Sequence, residues 1–168
     1  LNVLSTAGDN GYGNFLLTDG VWTYTLDQTQ VQDLDQNDQI EDSITFLATD
    51  GSTQKIDIVV SGTNDTPSLE TAVTDKSSSI GSTFSFDVNS GFFNDLDADD
   101  TLTFSATQAD GTPLPDWLSL NSTTGVFSGT SQVEDVGAVS IRVTATDDRN
   151  TSASDLFTLT ITSSNGVS

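Results

Sequence analysis

Apolar residues in this chain recur at every second position and almost nowhere at the three-to-four spacing of a helix face. Trp22, Tyr24 and Leu26 share one side of an extended segment whose other side carries Val21, Thr23 and Thr25. Ile44, Phe46 and Ala48 alternate up to Asp50-Gly51, and Ile56, Ile58 and Val60 return from that turn. Thr18-Asp19-Gly20, between residues 14–17 and 21–26, is a hairpin signal with glycine where a positive φ is wanted. The second half repeats the alternation in Phe84, Phe86 and Val88, in Leu102, Phe104 and Ala106, in Ile141, Val143 and Ala145, and in Phe157, Leu159 and Ile161. Residues 117–120 and 125–128 are short strands joined by Asn121-Ser122-Thr123-Thr124. Trp22, Tyr24 and Trp117 read as core residues. Short alternating segments divided by turns predict an all-β chain of β-sandwiches.

The pattern breaks at Gly62-Thr63-Asn64-Asp65-Thr66-Pro67, where a strand gives way to a polar turn ending in proline. Two domains are expected, residues 1–66 and 67–168. An internal echo supports serial copies of one architecture. Ala48-Thr49-Asp50-Gly51 precedes a strand ending at Gly62-Thr63-Asn64, and Ala145-Thr146-Asp147-Asp148 precedes one ending at Ser163-Ser164-Asn165. The two aspartates stand 97 positions apart, close to one sandwich domain.

Charge narrows the possible roles. The 168 residues carry 25 acidic and four basic side chains, a formal net charge of -21. Phosphate recognition needs a basic face, so nucleic acid is excluded as a partner, and an anionic membrane surface would repel the chain. No apolar run is long enough to insert into a membrane. With no cysteine, histidine or methionine, disulfides, soft-metal sites and the commonest acid–base and thiol catalysts are ruled out. No pair of aspartates stands out as opposed carboxylates in an aromatic cleft, so an enzyme is not expected. All but three of the acids are aspartate, which suits tight turns and hard-cation coordination.

The acids gather in two runs, Asp33-Leu34-Asp35-Gln36-Asn37-Asp38-Gln39-Ile40-Glu41-Asp42 and Asn94-Asp95-Leu96-Asp97-Ala98-Asp99-Asp100. Neither is an EF-hand loop. That loop needs glycine at its sixth position and glutamate at its twelfth, where these runs place Asp38 and Ile44, and Asp100 and Ala106.

Gly11-Tyr12-Gly13-Asn14-Phe15, the stretch from Asp19-Gly20-Val21-Trp22 to Asp27, Ala48-Thr49-Asp50-Gly51 and Gly62-Thr63-Asn64-Asp65 resemble the VCBS repeat. That repeat is a cadherin-like module of very large bacterial surface proteins, including type-I-secreted RTX adhesins. Residues 67–168 resemble a dystroglycan-type cadherin-like domain, also called putative-Ig. The motifs are Phe93-Asn94-Asp95-Leu96-Asp97, Leu114-Pro115-Asp116-Trp117-Leu118, Thr124-Gly125-Val126-Phe127-Ser128-Gly129-Thr130 and Val143-Thr144-Ala145-Thr146-Asp147.

The resemblance implies two tandem cadherin/Ig-like β-sandwiches, the first lacking its N-terminal strand. It implies calcium where the domains join, on Asp35, Asp38, Asn64, Asp65, Asp95, Asp97 and Asp147. Asp33, Asp42, Asp99 and Asp100 are expected to be solvated or secondary ligands. The implied role is a calcium-rigidified extracellular segment of a bacterial cell-surface adhesin, an extender that projects a ligand-binding module. Its partners would be neighbouring domains of the same large protein, with cell-surface carbohydrate or protein as further candidates. The alternative is a carbohydrate- or protein-binding module of an adhesin or of a secreted polysaccharide-degrading enzyme. Five strands are expected in the first domain, over residues 1–5, 14–17, 21–26, 43–49 and 54–61. Asp50 is expected to lack a complete calcium site, and the missing strand is expected upstream or from a neighbouring molecule.

Overall fold

The computed structural model describes residues 4–47 and 50–163. Leu1 to Val3 of the expected first strand, Ala48 and Thr49 of the repeated Ala-Thr-Asp stretch, and Ser164 and Asn165 lie outside the described residues. The chain is all-β and divides into two compact units, one running up to Asp65 together with Asp97–Asp99, the other made of Thr66–Leu96 and the residues from Asp100.

The first unit has five strands among its described residues: β1 (Leu4–Ala7), β2 (Gly13–Thr18), β3 (Val21–Leu26), β4 (Gln39–Leu47) and β5 (Thr53–Ser61). They form an antiparallel sheet β1-β2-β3 and an antiparallel pair β4-β5. The five strands expected here are present, β3 with the ends expected and the others with shifted ends. The largest shift is at β4, which starts at Gln39, so Gln39-Ile40-Glu41-Asp42 is strand and not acidic loop. Pairing of Thr18 with Val21 leaves Asp19 and Gly20 as a two-residue turn, with φ of 52° and 83°. Positive φ at both positions gives a twist that matches the flanking strands.

Phe15, 1% exposed, is the centre of this unit's core. Its ring lies 4.7 Å from that of Tyr24 and 6.3 Å from that of Trp22, and Trp22 meets Phe46 of β4 at 5.1 Å. Trp22 and Tyr24 are half-buried, packing across the two sheets with part of each ring at the surface.

Asp42 departs from the reading as a solvated or secondary ligand. It is wholly buried on β4 and accepts hydrogen bonds from the Asn10 amide (3.0 Å), the Ser43 amide (2.9 Å) and the Tyr24 hydroxyl (2.8 Å). The Gly8–Gly13 turn closes over it. A Cβ at Gly8 would come within 2.0 Å of Asp42 Oδ2, so only glycine fits there.

The second unit contains β6 (Ser68–Leu69), β7 (Lys76–Ser79), β8 (Thr83–Asp87), β9 (Phe93–Asn94), β10 (Thr103–Gln108), β11 (Leu118–Leu120), β12 (Val126–Thr130), β13 (Gly137–Thr146) and β14 (Ser152–Thr162). A four-stranded sheet β10-β13-β14-β7 and a three-stranded sheet β11-β12-β8 supply the two layers, with β6-β9 as a short antiparallel pair. Alternation along β13 and β14 buries Ile141, Val143 and Ala145 and then Phe157, Leu159 and Ile161. These meet Phe84, Phe104, Leu118 and Phe127 in one cluster. Packing of this kind contributes about 1.5–3 kcal/mol for each large side chain removed from water.

Among the described residues of this unit, β7 and β14 make the one parallel pairing, Lys76 to Ser79 running beside Leu159 to Thr162. Two aspartates hold its approach. Asp155 Oδ2 accepts the Val73 amide and Asp75 Oδ1 accepts the Thr158 amide, both at 2.7 Å. Lys76 then lies over the Phe86 ring, 4.3 Å from its centroid.

Candidate metal centre

In the second unit, two loops bring three carboxylates together, Asp95 and Asp100 from the β9–β10 loop and Asp147 from the β13–β14 loop. Asp95 follows β9, whose Phe93 is anchored in the core at 6% exposure. Asp100 precedes β10, where Phe104 is buried at 3%. Asp147 directly follows β13, two residues past the buried Ala145, and is itself 4% exposed. One carboxylate oxygen from each of Asp95, Asp100 and Asp147 lies within 4.8 Å of the others.

Asp147 also builds the turn that holds it. Its Oδ1 accepts the amides of Arg149 and Thr151, each at 2.8 Å, and its Oδ2 accepts the Thr151 hydroxyl. Asn150 takes a φ of 67° to complete that turn. Asparagine tolerates this left-handed conformation better than most side chains.

The donor set suits a hard divalent cation. Oxygens bound to one calcium at about 2.3–2.6 Å can stand at most about 5 Å apart, and these three meet that limit. Three like charges at this spacing repel by about 3 kcal/mol per pair in a partly buried setting, and a cation reverses the sign. Asp95, Asp100 and Asp147 are therefore the residues that would hold such an ion, each as an oxygen donor. Two of them carry the expectation. Asp100, read as solvated or secondary, joins them half-buried. A signal for it was available, because Asp100 is the last acid before the alternation that starts at Leu102.

The other expected ligands lie in the first unit. Asp35 is 6% exposed and Asp97 is 2% exposed, and one carboxylate oxygen from each comes within 4.8 Å of the other. Asp97 Oδ2 accepts the Asp65 amide at 2.6 Å. The Asp95-Leu96-Asp97 pair is thus divided, Asp95 serving the second unit and Asp97 grouped with the first. Asp38 is exposed and closes its own turn, its Oδ2 accepting the Asp35 amide (3.2 Å) while its carbonyl accepts the Gly62 amide (2.9 Å). A Cβ at Gly62 would meet the Asp35 carbonyl oxygen at 2.3 Å, which fixes glycine at that crossing. Asn64 and Asp65 are half-buried, and Asn64 Nδ2 donates to the Asp65 carbonyl. Asp33 and Asp99 are exposed, as expected.

Aspartate has a second use here. Asp27, Asp50 and Asp110 each accept, on Oδ1, the amide and the hydroxyl of the Ser or Thr two residues on. The side-chain hydrogen bond comes first among the causes that hold all three carboxyls below their usual range. Asp50 is exposed and capped by Ser52.

The fold has relatives. Human mucin-like protocadherin, in its first two extracellular cadherin repeats, superposes with a TM-score of 0.60 at 14% identity, over 97% of this chain and 84% of that one. Mouse protocadherin PcdhgC3, repeats one to three, gives 0.55 at 15% identity, over 96% of this chain and 52% of that one. These likenesses establish a cadherin/Ig-like fold. At TM-scores of 0.45, the chain spans 18% of a putative alpha-galactosidase from Bacteroides fragilis and 24% of an endo-fucoidan hydrolase of glycoside hydrolase family 107. A search among curated proteins finds no match to the sequence. No helix among the described residues is long and apolar enough to cross a membrane. The family model described as Putative Ig domain matches residues 66–162, which is most of the chain, and the protein belongs to that family.

Proposed function

We propose that this chain is a non-catalytic, calcium-stabilised segment of an extracellular bacterial adhesin, an extender that projects a ligand-binding module. The observation that carries the reading is the Asp95–Asp100–Asp147 cluster in a domain of the Ig/cadherin type. The sequence likeness to VCBS repeats of RTX adhesins supports the bacterial surface, type I secretion and further ligands at Asp35, Asp38, Asn64, Asp65 and Asp97. Calcium at these residues would take freedom from the connecting segment around Asn64 and Asp65, and stiffness is what an extender needs. Secretion fits the same chemistry. Low calcium leaves an acidic chain self-repelling, and external calcium drives it to fold.

An ion bound only to the folded state stabilises by about 2.7 kcal/mol at a hundredfold excess over its Kd. Millimolar calcium should therefore raise the melting temperature of the second unit by about 10–20 °C over EDTA. Asp100→Ala should remove most of that difference and Asp110→Ala none of it. Equal melting curves with calcium and EDTA would overturn the assignment. Small-angle scattering then tests stiffening, since chelation should broaden the range of particle dimensions.

A further inference from the structure

The second unit holds a pocket that the metal centre does not use. It has a volume of about 150 Å³ and is walled by Pro115, Trp117, Val136, Val139 and Ile161, with Asp135 also in its lining. Each wall has a local cause. A Cβ at Gly129 would strike the Trp117 carbonyl oxygen at 2.0 Å and Trp117 Cε3 at 3.0 Å, so a glycine on β12 makes the room in which the half-buried indole sits. The 3-10 turn Val133–Asp135 delivers Val136, and Gly137, at a φ of 146°, starts β13. A Cβ at Gly137 would meet nothing within 4 Å, so the lining is open there.

Size and chemistry select the occupant. Small-molecule sites occupy about 300–1,000 Å³, so this one suits a single side chain. Its surroundings are apolar and acidic together: Val136 is 49% exposed and Val133 is 71% exposed, on either side of Glu134 and Asp135. No lysine or arginine lines it, on a chain of net charge -21. An indole, aliphatic walls and a carboxylate match a planar cation on an apolar stem. A guanidinium stacks on the ring and pairs with the carboxylate while its methylenes lie along the valines. We propose that the Trp117–Val136 pocket takes an arginine side chain from a basic segment of a partner protein.

The test follows proton–nitrogen NMR spectra of the full 168-residue chain. Three probes are titrated: a capped valine-arginine-valine peptide, its citrulline analogue and methyl glucoside. The arginine peptide should shift the Trp117 indole and the amides of residues 136–139. The citrulline peptide should bind at least about threefold more weakly, since it keeps the shape and loses the charge. Asp135→Asn should weaken the arginine peptide to a similar degree while Asp110→Asn does not. The asparagine carbonyl can still accept the Gln132 amide that Asp135 Oδ2 now accepts at 2.7 Å, so the turn survives the change. Four results would overturn the proposal: no shift at Trp117, equal binding of the two peptides, shifts spread over the whole acidic surface, or methyl glucoside moving the same residues in the peptide's place.

Discussion

Asp42 keeps its charge at zero exposure because Asn10, Ser43 and Tyr24 all donate to it. Burial pushes its carboxyl up, but the Asn10 amide, the Tyr24 hydroxyl and the Ser43 amide together hold it below the usual range. A depressed folded value makes this a contribution present above pH ~4 and lost as the pH falls through that lower value. Tyr24 responds in the opposite direction. Burial first, then its hydrogen bond to Asp42, pushes the phenol up to about 12. Its contribution is therefore complete below pH ~10 and lost as the pH rises through about 12. Asp42→Ala leaves two amides and a hydroxyl without their acceptor and should cost about 3–5 kcal/mol, against about 1 for Tyr24→Phe. Urea unfolding followed by Trp22 fluorescence in a Trp117→Phe background measures both. Equal costs would show that the hydroxyl, and not the charge, holds the Gly8–Gly13 turn.

At the scale of elements, the long strands were legible in the sequence because a strand with one buried face must alternate. Val143 and Ala145 on β13, and Phe157 and Leu159 on β14, follow that rule without exception. β7 was not legible. Its residues are Lys76-Ser77-Ser78-Ser79, and what places it is not apolar burial but pairing to β14 and the clips from Asp75 and Asp155. The start of β4 was obscured for a related reason, since a buried aspartate in a strand reads as a loop acid. The candidate site was legible in its residue types, and its grouping was not, because Asp95 and Asp97 look alike in sequence and fall to different units. Asp75→Ala should release the Thr158 amide to solvent and cost about 1 kcal/mol, as an exposed hydrogen bond does. Faster exchange of the Thr158 amide, with β13 amides unchanged, would localise the loss to the edge of the sheet.

For the molecule as a whole, a charge of -21, from 25 acidic side chains against four basic ones, leaves repulsion as the main long-range force. Salt should relieve it. Raising ionic strength from about 0.01 to 0.15 M shortens the screening length from about 30 to 8 Å. In EDTA that change should raise the melting temperature, and with calcium bound the same change should do much less. A melting temperature indifferent to sodium chloride in EDTA would show that the acids are too solvated to repel one another.

The parallel pairing of β7 with β14 has a mechanical consequence. β7 stands near the start of the second unit and β14 is its last described strand, and the two run in the same direction. A load applied between the start and the end of that unit pulls the strands along their length, so the four paired positions from Lys76 to Ser79 are sheared together and not opened one at a time. Forced unfolding is governed by the barrier to leaving the native state, and breaking several hydrogen bonds in one step raises that barrier. Ser78→Pro, which cannot donate from its backbone nitrogen, should lower the unfolding force in single-molecule stretching far more than it lowers the melting temperature. The polar strand that alternation could not reveal is thus the one that bears tension.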